Sequence, residues 1–299
     1  MTASVRRACL LILAIVAFNM AGANAFADDI VKFITPEGVE ATAGNSSGSH
    51  MVMRRANAAP ELLLIFLTGT GGASDRGPMP FFRTALGQGY RVVNLSYIDV
   101  PAVAQACNRL RDASNCAELF RRKRAFGEQV TDVINDRPDD AIVPRITALL
   151  RSLAKLYPAD DWSQYLDADG SVRWRRIALS GLSQGGGMAA MIAKRYEVAR
   201  VIDFSGGWDS QTSNSGIASW YSAPSITPPS RWYGTFHKDE AMAARIYDTY
   251  KALQIPDAHI VQFDDPSAKI PAHIRGVVDP VNRPIWQTLL GNGTLTAPD

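Results

Sequence analysis

Residues 175–193 read RRIALSGLSQGGGMAAMIA, and the way this stretch divides decides the fold. Its first part, RRIALS, is an apolar run of strand type, and its last part, QGGGMAAMIA, has helical character. Between them Gly181-Leu182-Ser183-Gln184-Gly185 matches G-x-S-x-G. That pattern is short enough to arise by chance, so its context carries the weight. A serine on a tight turn from a strand into a helix is what a nucleophile elbow requires. The spacing predicts a strand over 174–180 and a helix over 184–196. Glycine inside a helix costs about 1 kcal/mol relative to alanine, so Gly185, Gly186 and Gly187 imply close packing of the helix on the strand. A phosphate loop is disfavoured because no Lys-Ser/Thr pair follows the glycines.

Outward from the elbow, strand-like and helical runs alternate. Strands are expected over 30–34, 51–54, 62–67 (LLLIFL), 90–97, 200–204, 231–236 and 259–263, and helices over 80–86, 141–156 and 240–253. Strands separated by helices imply right-handed crossovers and a mainly parallel sheet covered on both faces. LLLIFL and RVIDF suit strands buried on both sides. No linker divides the chain after residue 27, so 28–299 reads as one domain. Two stretches break the rhythm, 98–139 and 206–230, and both follow strands on the side where such sheets bind ligands. The basic run Arg121-Arg122-Lys123-Arg124 reads as a solvated helix face. Trp208 and Trp220 are candidates for pocket walls or for core.

A serine hydroxyl needs a base, and a developing oxyanion needs donors. Thr68-Gly69-Thr70-Gly71-Gly72 follows LLLIFL and can supply an amide, Thr70 first and Gly71 next. The Gln184 amide, just after the serine, is the other expected donor. The chain has four histidines. His50 precedes the serine, and His237 ends a strand where the acid is expected. His273, beyond the last strand in a Pro-flanked loop, fits the order serine, acid, histidine better than His259 does. Asp239, just past the strand over 231–236, is the expected acid, with Asp209 as its competitor. No His-x-x-x-His pair or complete calcium loop is present, so no metal is expected.

Residues 1–27 have the parts of a secretory leader: Arg6 and Arg7, an apolar stretch, and Ala25-Phe26-Ala27 before the cleavage point. The apolar stretch is too short for a membrane span. Cleavage there lowers 31 basic residues to 29 against 29 acidic ones. A neutral chain has no long-range attraction to nucleic acid or anionic lipid. Cleavage also leaves two cysteines, Cys107 and Cys116, and in an oxidising compartment so close a pair predicts a disulfide. The expected location is the periplasm or outside the cell.

Together FLTGTGG (66–72), the Cys-containing insertion after LSY, GLSQGGG and FHKDE (236–240) resemble the α/β-hydrolase superfamily over nearly the whole chain after the leader. More narrowly, the chain resembles a group of secreted bacterial serine hydrolases. One departure is Thr68-Gly69, where superfamily members often have His-Gly. The resemblance implies an α/β-hydrolase fold, a mainly parallel central sheet with helices on both faces and insertions near the site. It also implies hydrolysis of a small-molecule or acyl ester with no cofactor. Ser183 would be nucleophile, His273 base and Asp239 its partner, with the Gln184 and Thr70 amides as oxyanion donors. Two alternatives share this sequence: an inactive binding protein on the same fold, or an amide hydrolase or acyltransferase.

Overall fold

The computed structural model describes residues 29–36, 48–56, 62–107, 115–212, 215–266 and 269–293. The leader at 1–27 lies outside them. Among the described residues ten strands are formed: β1 (Asp29–Ile34), β2 (His50–Arg55), β3 (Leu62–Leu67), β4 (Tyr90–Leu95), β5 (Ile177–Leu182), β6 (Arg200–Phe204), β7 (Ser210–Thr212), β8 (Ser215–Ile217), β9 (Trp232–His237) and β10 (Ile260–Phe263). Eight of them make one sheet in the order β1-β2-β4-β3-β5-β6-β9-β10, while β7 and β8 pair as a separate hairpin. β1 and β2 run antiparallel to their neighbours, and every pair from β4 to β10 across the sheet is parallel. The expected α/β-hydrolase architecture is therefore present, with β5 and its serine turn near the middle of the sheet.

β3 shows why the sheet needs two covered faces. Leu63, Ile65 and Leu67 pack into one core, and Leu62, Leu64 and Phe66 into the other. Side chains alternate across a strand, so a continuous apolar run has to be buried on both sides. The first core is built by α4 (Ile142–Leu156), α5 (Gln184–Arg195) and α6 (Ala243–Ala252), together with Phe120 of α3 (Cys116–Phe126). The second is built by α1 (Met79–Gly87), α7 (Ala272–Val278) and α8 (Arg283–Leu290). There Phe81 meets Phe204 and Trp286 edge-on, with ring centroids 5.0 and 5.8 Å apart.

Several local expectations change. β5 continues through Gly181 to Leu182, because Ser183 N–H still donates to the Phe204 carbonyl at 2.9 Å, extending the β5–β6 ladder. The insertion after β4 holds a short helix, α2 (Val103–Cys107), joined to α3 by the expected disulfide between Cys107 and Cys116, Cα–Cα 5.7 Å. The basic run on α3 is not a solvated face. Arg121, Lys123 and Arg124 are buried, and of the four only Arg122 is half exposed. Arg121 makes a two-pronged pair with Asp209, Arg124 pairs with Asp136 and donates to the Pro101 carbonyl, and Lys123 donates to the Thr131 carbonyl. A run of cations can be buried only where each finds a carboxylate or carbonyl partner. Asp209 stands 88 positions from Arg121, outside any local reading. No helix of the described residues is long and apolar enough to cross a membrane.

Candidate active site

Ser183 sits between β5 and α5 with φ 57° and ψ −120°, a left-handed conformation that a non-glycine residue adopts at a cost of about 1–3 kcal/mol. Glycines on either side make the turn possible. A Cβ on Gly185 would overlap the Leu67 and Thr68 carbonyls at the end of β3, which is the close helix-on-strand packing expected there. Gly186 and Gly187 have another reason. They make room for the Asp203 carboxyl and the Arg121 guanidinium, two buried polar groups from elsewhere in the chain.

The histidine and its acid come from separate elements. His273 lies in the first turn of α7, so the expected loop is instead the start of a helix. Its Nδ1 is 2.7 Å from Oε2 of Glu240, not from Asp239. Glu240 is nearly fully buried, with its side chain 3% exposed. Its Oε1 accepts from the Ser205 hydroxyl at 2.6 Å and from the His237 amide at 2.7 Å. Three hydrogen bonds thus fix this carboxylate in place.

Asp239, expected to hold the histidine, is 60% exposed and points at His237 Nδ1 from 3.7 Å. The turn after β9 explains the exchange. The Asp239 amide donates to His237 Nδ1, and the Glu240 amide donates to the His237 carbonyl. That reversal sends residue 239 outward and residue 240 inward. The sequence places acids just past the strand, but which of the two adjacent carboxylates meets His273 depends on the turn. Asp209, the competitor, is committed to Arg121 and also accepts from the Trp220 indole at 3.0 Å.

The other histidines are occupied elsewhere. His259 Nδ1 lies 3.0 Å from the Trp232 carbonyl, with its ring stacked on Tyr233. His50 is buried and takes the Ser96 amide. His237 Nδ1 accepts from the Asp239 amide, and its Nε2 lies 3.0 Å from both the Asp265 carbonyl and Arg275 Nη1. Arg275 donates to that carbonyl and, twice, to the Ile270 carbonyl. It thereby ties the Asp265 and Ile270 carbonyls to α7, the helix that carries His273, a role the sequence did not signal.

Ser183, His273, Glu240, Thr70 and Trp208 line one cleft of about 710 Å³. The Trp208 ring meets the His273 ring edge-on at 5.5 Å, whereas Trp220 is buried against Tyr221. One of the two tryptophans thus shapes the cleft and the other belongs to the core. A second cavity of about 320 Å³ also opens on Ser183, and both insertions contribute to it, through Val103 and Cys107 and through Trp208 and Asp209.

The amide of Gln184 is one of the first in α5, where no intrahelical carbonyl can take it and the helix dipole favours negative charge. The Gln184 side chain is spent on architecture. It accepts from the Val103 amide at 3.0 Å and donates to the Asp99 carbonyl at 2.7 Å, fixing the start of the insertion. Opposite, the Thr68 carbonyl takes the Tyr97 hydroxyl at 2.6 Å, which anchors the glycine-rich loop. Burial raises the Asp99 carboxyl pKa, an effect opposed by the Gly72 and Gly71 amides that face it. The Gly72 amide closes the loop on the Gly69 carbonyl at 2.9 Å, and Thr70, which lines both cavities with Ser183, is the loop's candidate donor.

Below the elbow, the fully buried Asp203 carboxyl is pushed up to about 8 by burial, against the opposing pull of Arg121. Burial likewise opposes the charge on Arg121, but the Asp209 carboxylate outweighs it and raises that pKa.

No family model matches this chain, and no curated protein matches it in sequence. Solved structures similar to it include a hyperthermophilic esterase from the archaeon Pyrobaculum calidifontis, at 14% identity over 89% of this chain and 85% of that one, TM-score 0.47. An alpha-beta serine hydrolase homologue from Coxiella burnetii aligns at 14% identity over 88% and 97%, TM-score 0.47. A bacterial heroin esterase aligns at 15% identity over 91% and 86%, TM-score 0.45. What the site can do is decided by this chain's own residues.

Proposed function

We propose that this protein is an exported serine hydrolase of carboxylic esters, working through an acyl-enzyme on Ser183. The observation that carries this reading is the Glu240–His273 hydrogen bond, placed in the same cleft as a serine held in a strained elbow. With the Nδ1 proton directed at Glu240, Nε2 of His273 is free to accept a proton. Ser183 Oγ attacks the ester carbonyl as His273 takes its proton, and the amides of Gln184 and Thr70 receive the oxyanion. The C–O bond to the alcohol then breaks, with His273 returning the proton to the leaving oxygen. Water, deprotonated by the same nitrogen, releases the acid and restores Ser183. Glu240 stays ionised and stabilises the imidazolium in both halves. No step calls for a cofactor. The leader pattern and the Cys107–Cys116 disulfide support export to an oxidising compartment.

The test is fluorophosphonate labelling read by intact mass, beside turnover of short and long esters. Wild type takes one label and Ser183→Ala takes none while keeping its fold. Equal labelling of both proteins would remove Ser183 as the nucleophile. A folded wild type that neither labels nor turns over any ester would instead be a binding protein on this fold.

A further inference from the structure

The two cavities that meet at Ser183 differ in charge. The larger holds His273, which must hand its proton to the leaving oxygen, so the alcohol departs on that side. Its carboxylates are Glu240 and the exposed Asp239. The smaller cavity is lined by neither His273 nor Glu240 and is left for the acyl group. Its walls mix apolar side chains, among them Val103, Trp208 and Met242, with polar ones, and three charged side chains reach it: Arg121, Asp209 and Arg245. Arg121 and Asp209 neutralise one another through a two-pronged pair. Arg245, on α6, makes no ion pair among the described residues. Its Nη1 donates to the Ser210 hydroxyl at 2.5 Å, which fixes the guanidinium by one of its five N–H groups. Among the described residues that line it, the cavity therefore carries one net positive charge, held on a geometry suited to a carboxylate.

From this we infer that the acyl group carries an anion: the preferred substrates are monoesters of short dicarboxylic acids, whose free carboxylate is received by Arg245. The inference rests on the serine-hydrolase reading and narrows it. A volume of about 320 Å³ is at the small end for ligand cavities, which favours a short diacid over a fatty chain. The Ser210–Thr212 strand, through Ser210, and α6, through Arg245, then act together as the wall that selects the acyl end.

The experiment compares kcat/KM for the monoethyl esters of succinic, glutaric and adipic acids with that for ethyl butanoate, pentanoate and hexanoate, by released ethanol. At low salt wild type favours the anionic member of at least one pair by about 10- to 100-fold, the range of a charge-assisted hydrogen bond. Arg245→Gln brings that ratio towards one, and Arg245→Lys restores part of it. The wild-type ratio needs no variant, so a poorly folded Arg245→Gln leaves the inference testable. A wild-type ratio of one or below in every pair, or a ratio unchanged in Arg245→Gln, overturns the inference. If Ser183 labels and neutral esters turn over without anionic preference, only the acyl assignment fails. If Ser183 neither labels nor supports turnover, the hydrolase reading fails and takes this inference with it.

Discussion

Replacing Glu240 by glutamine separates the acid's chemical role from its structural one. The carboxylate accepts three hydrogen bonds, from Ser205 Oγ (2.6 Å) and the His237 amide (2.7 Å) on Oε1 and from His273 Nδ1 (2.7 Å) on Oε2. A glutamine amide keeps its oxygen towards Ser205 and His237, because both are donors and turning the NH2 towards them would oppose donor to donor. The NH2 then faces His273 Nδ1, which has to become an acceptor. The ring proton moves to Nε2, the nitrogen that must receive the proton of Ser183. A wrong tautomer of this kind costs about 10⁴-fold in kcat, or about 5.4 kcal/mol at 1.36 per decade. Stability falls far less, by about 1–3 kcal/mol for one weakened charged hydrogen bond. Asp239→Asn touches an exposed carboxylate 3.7 Å from His237 and leaves kcat within about twofold. Both variants are assayed for ester turnover and for urea denaturation. A 10³-fold or greater loss in Asp239→Asn, with Glu240→Gln close to wild type, would refute the assignment of Glu240 and reinstate its neighbour.

Two further predictions concern the scaffold. Asp203 is protonated in the fold up to about pH 8 but ionises near its ordinary 3.8 once unfolded. The unfolded chain thus binds fewer protons than the native one between these values, and stability falls as pH rises through that window. The contribution is on the order of 5 kcal/mol across the window. Asp203→Asn removes it, so denaturation midpoints at about pH 5 and about pH 8.5 should lie closer together than in wild type. A variant whose pH dependence matched wild type would show that Asp203 is ionised in the fold. Separately, Gly185→Ala sets a Cβ against the Leu67 and Thr68 carbonyls at the end of β3, and α5 cannot yield locally, so it should destabilise by about 3 kcal/mol or more. Gly71→Ala meets open space at φ +71° and should lose only about 1 kcal/mol. Equal losses in thermal or urea denaturation would mean that the elbow does not pack on β3 as described.

Reading the chain along its length was enough for the parallel sheet, the serine turn and the cysteine pair. Each is written in local order: apolar runs such as LLLIFL have to be buried on two faces, and G-x-S-x-G between strand and helix has few other uses. The cysteines needed only a short loop and an oxidising compartment. What only the tertiary structure decided was partnership across the chain. Sequence order alone leads to the expectation of His273, but which carboxylate stands beside it depends on the turn after β9, which points Glu240 inward and Asp239 out. The run Arg121 to Arg124 looks like a solvated helix face until Asp209 and Asp136 are brought to it. The same pairing leaves Arg245 as the net charge of the smaller cavity. Composition and periodicity place side chains on faces. Which charges meet, and which is left to greet a substrate, depends on contacts between residues far apart in the chain, and those exist only once the sheet has assembled.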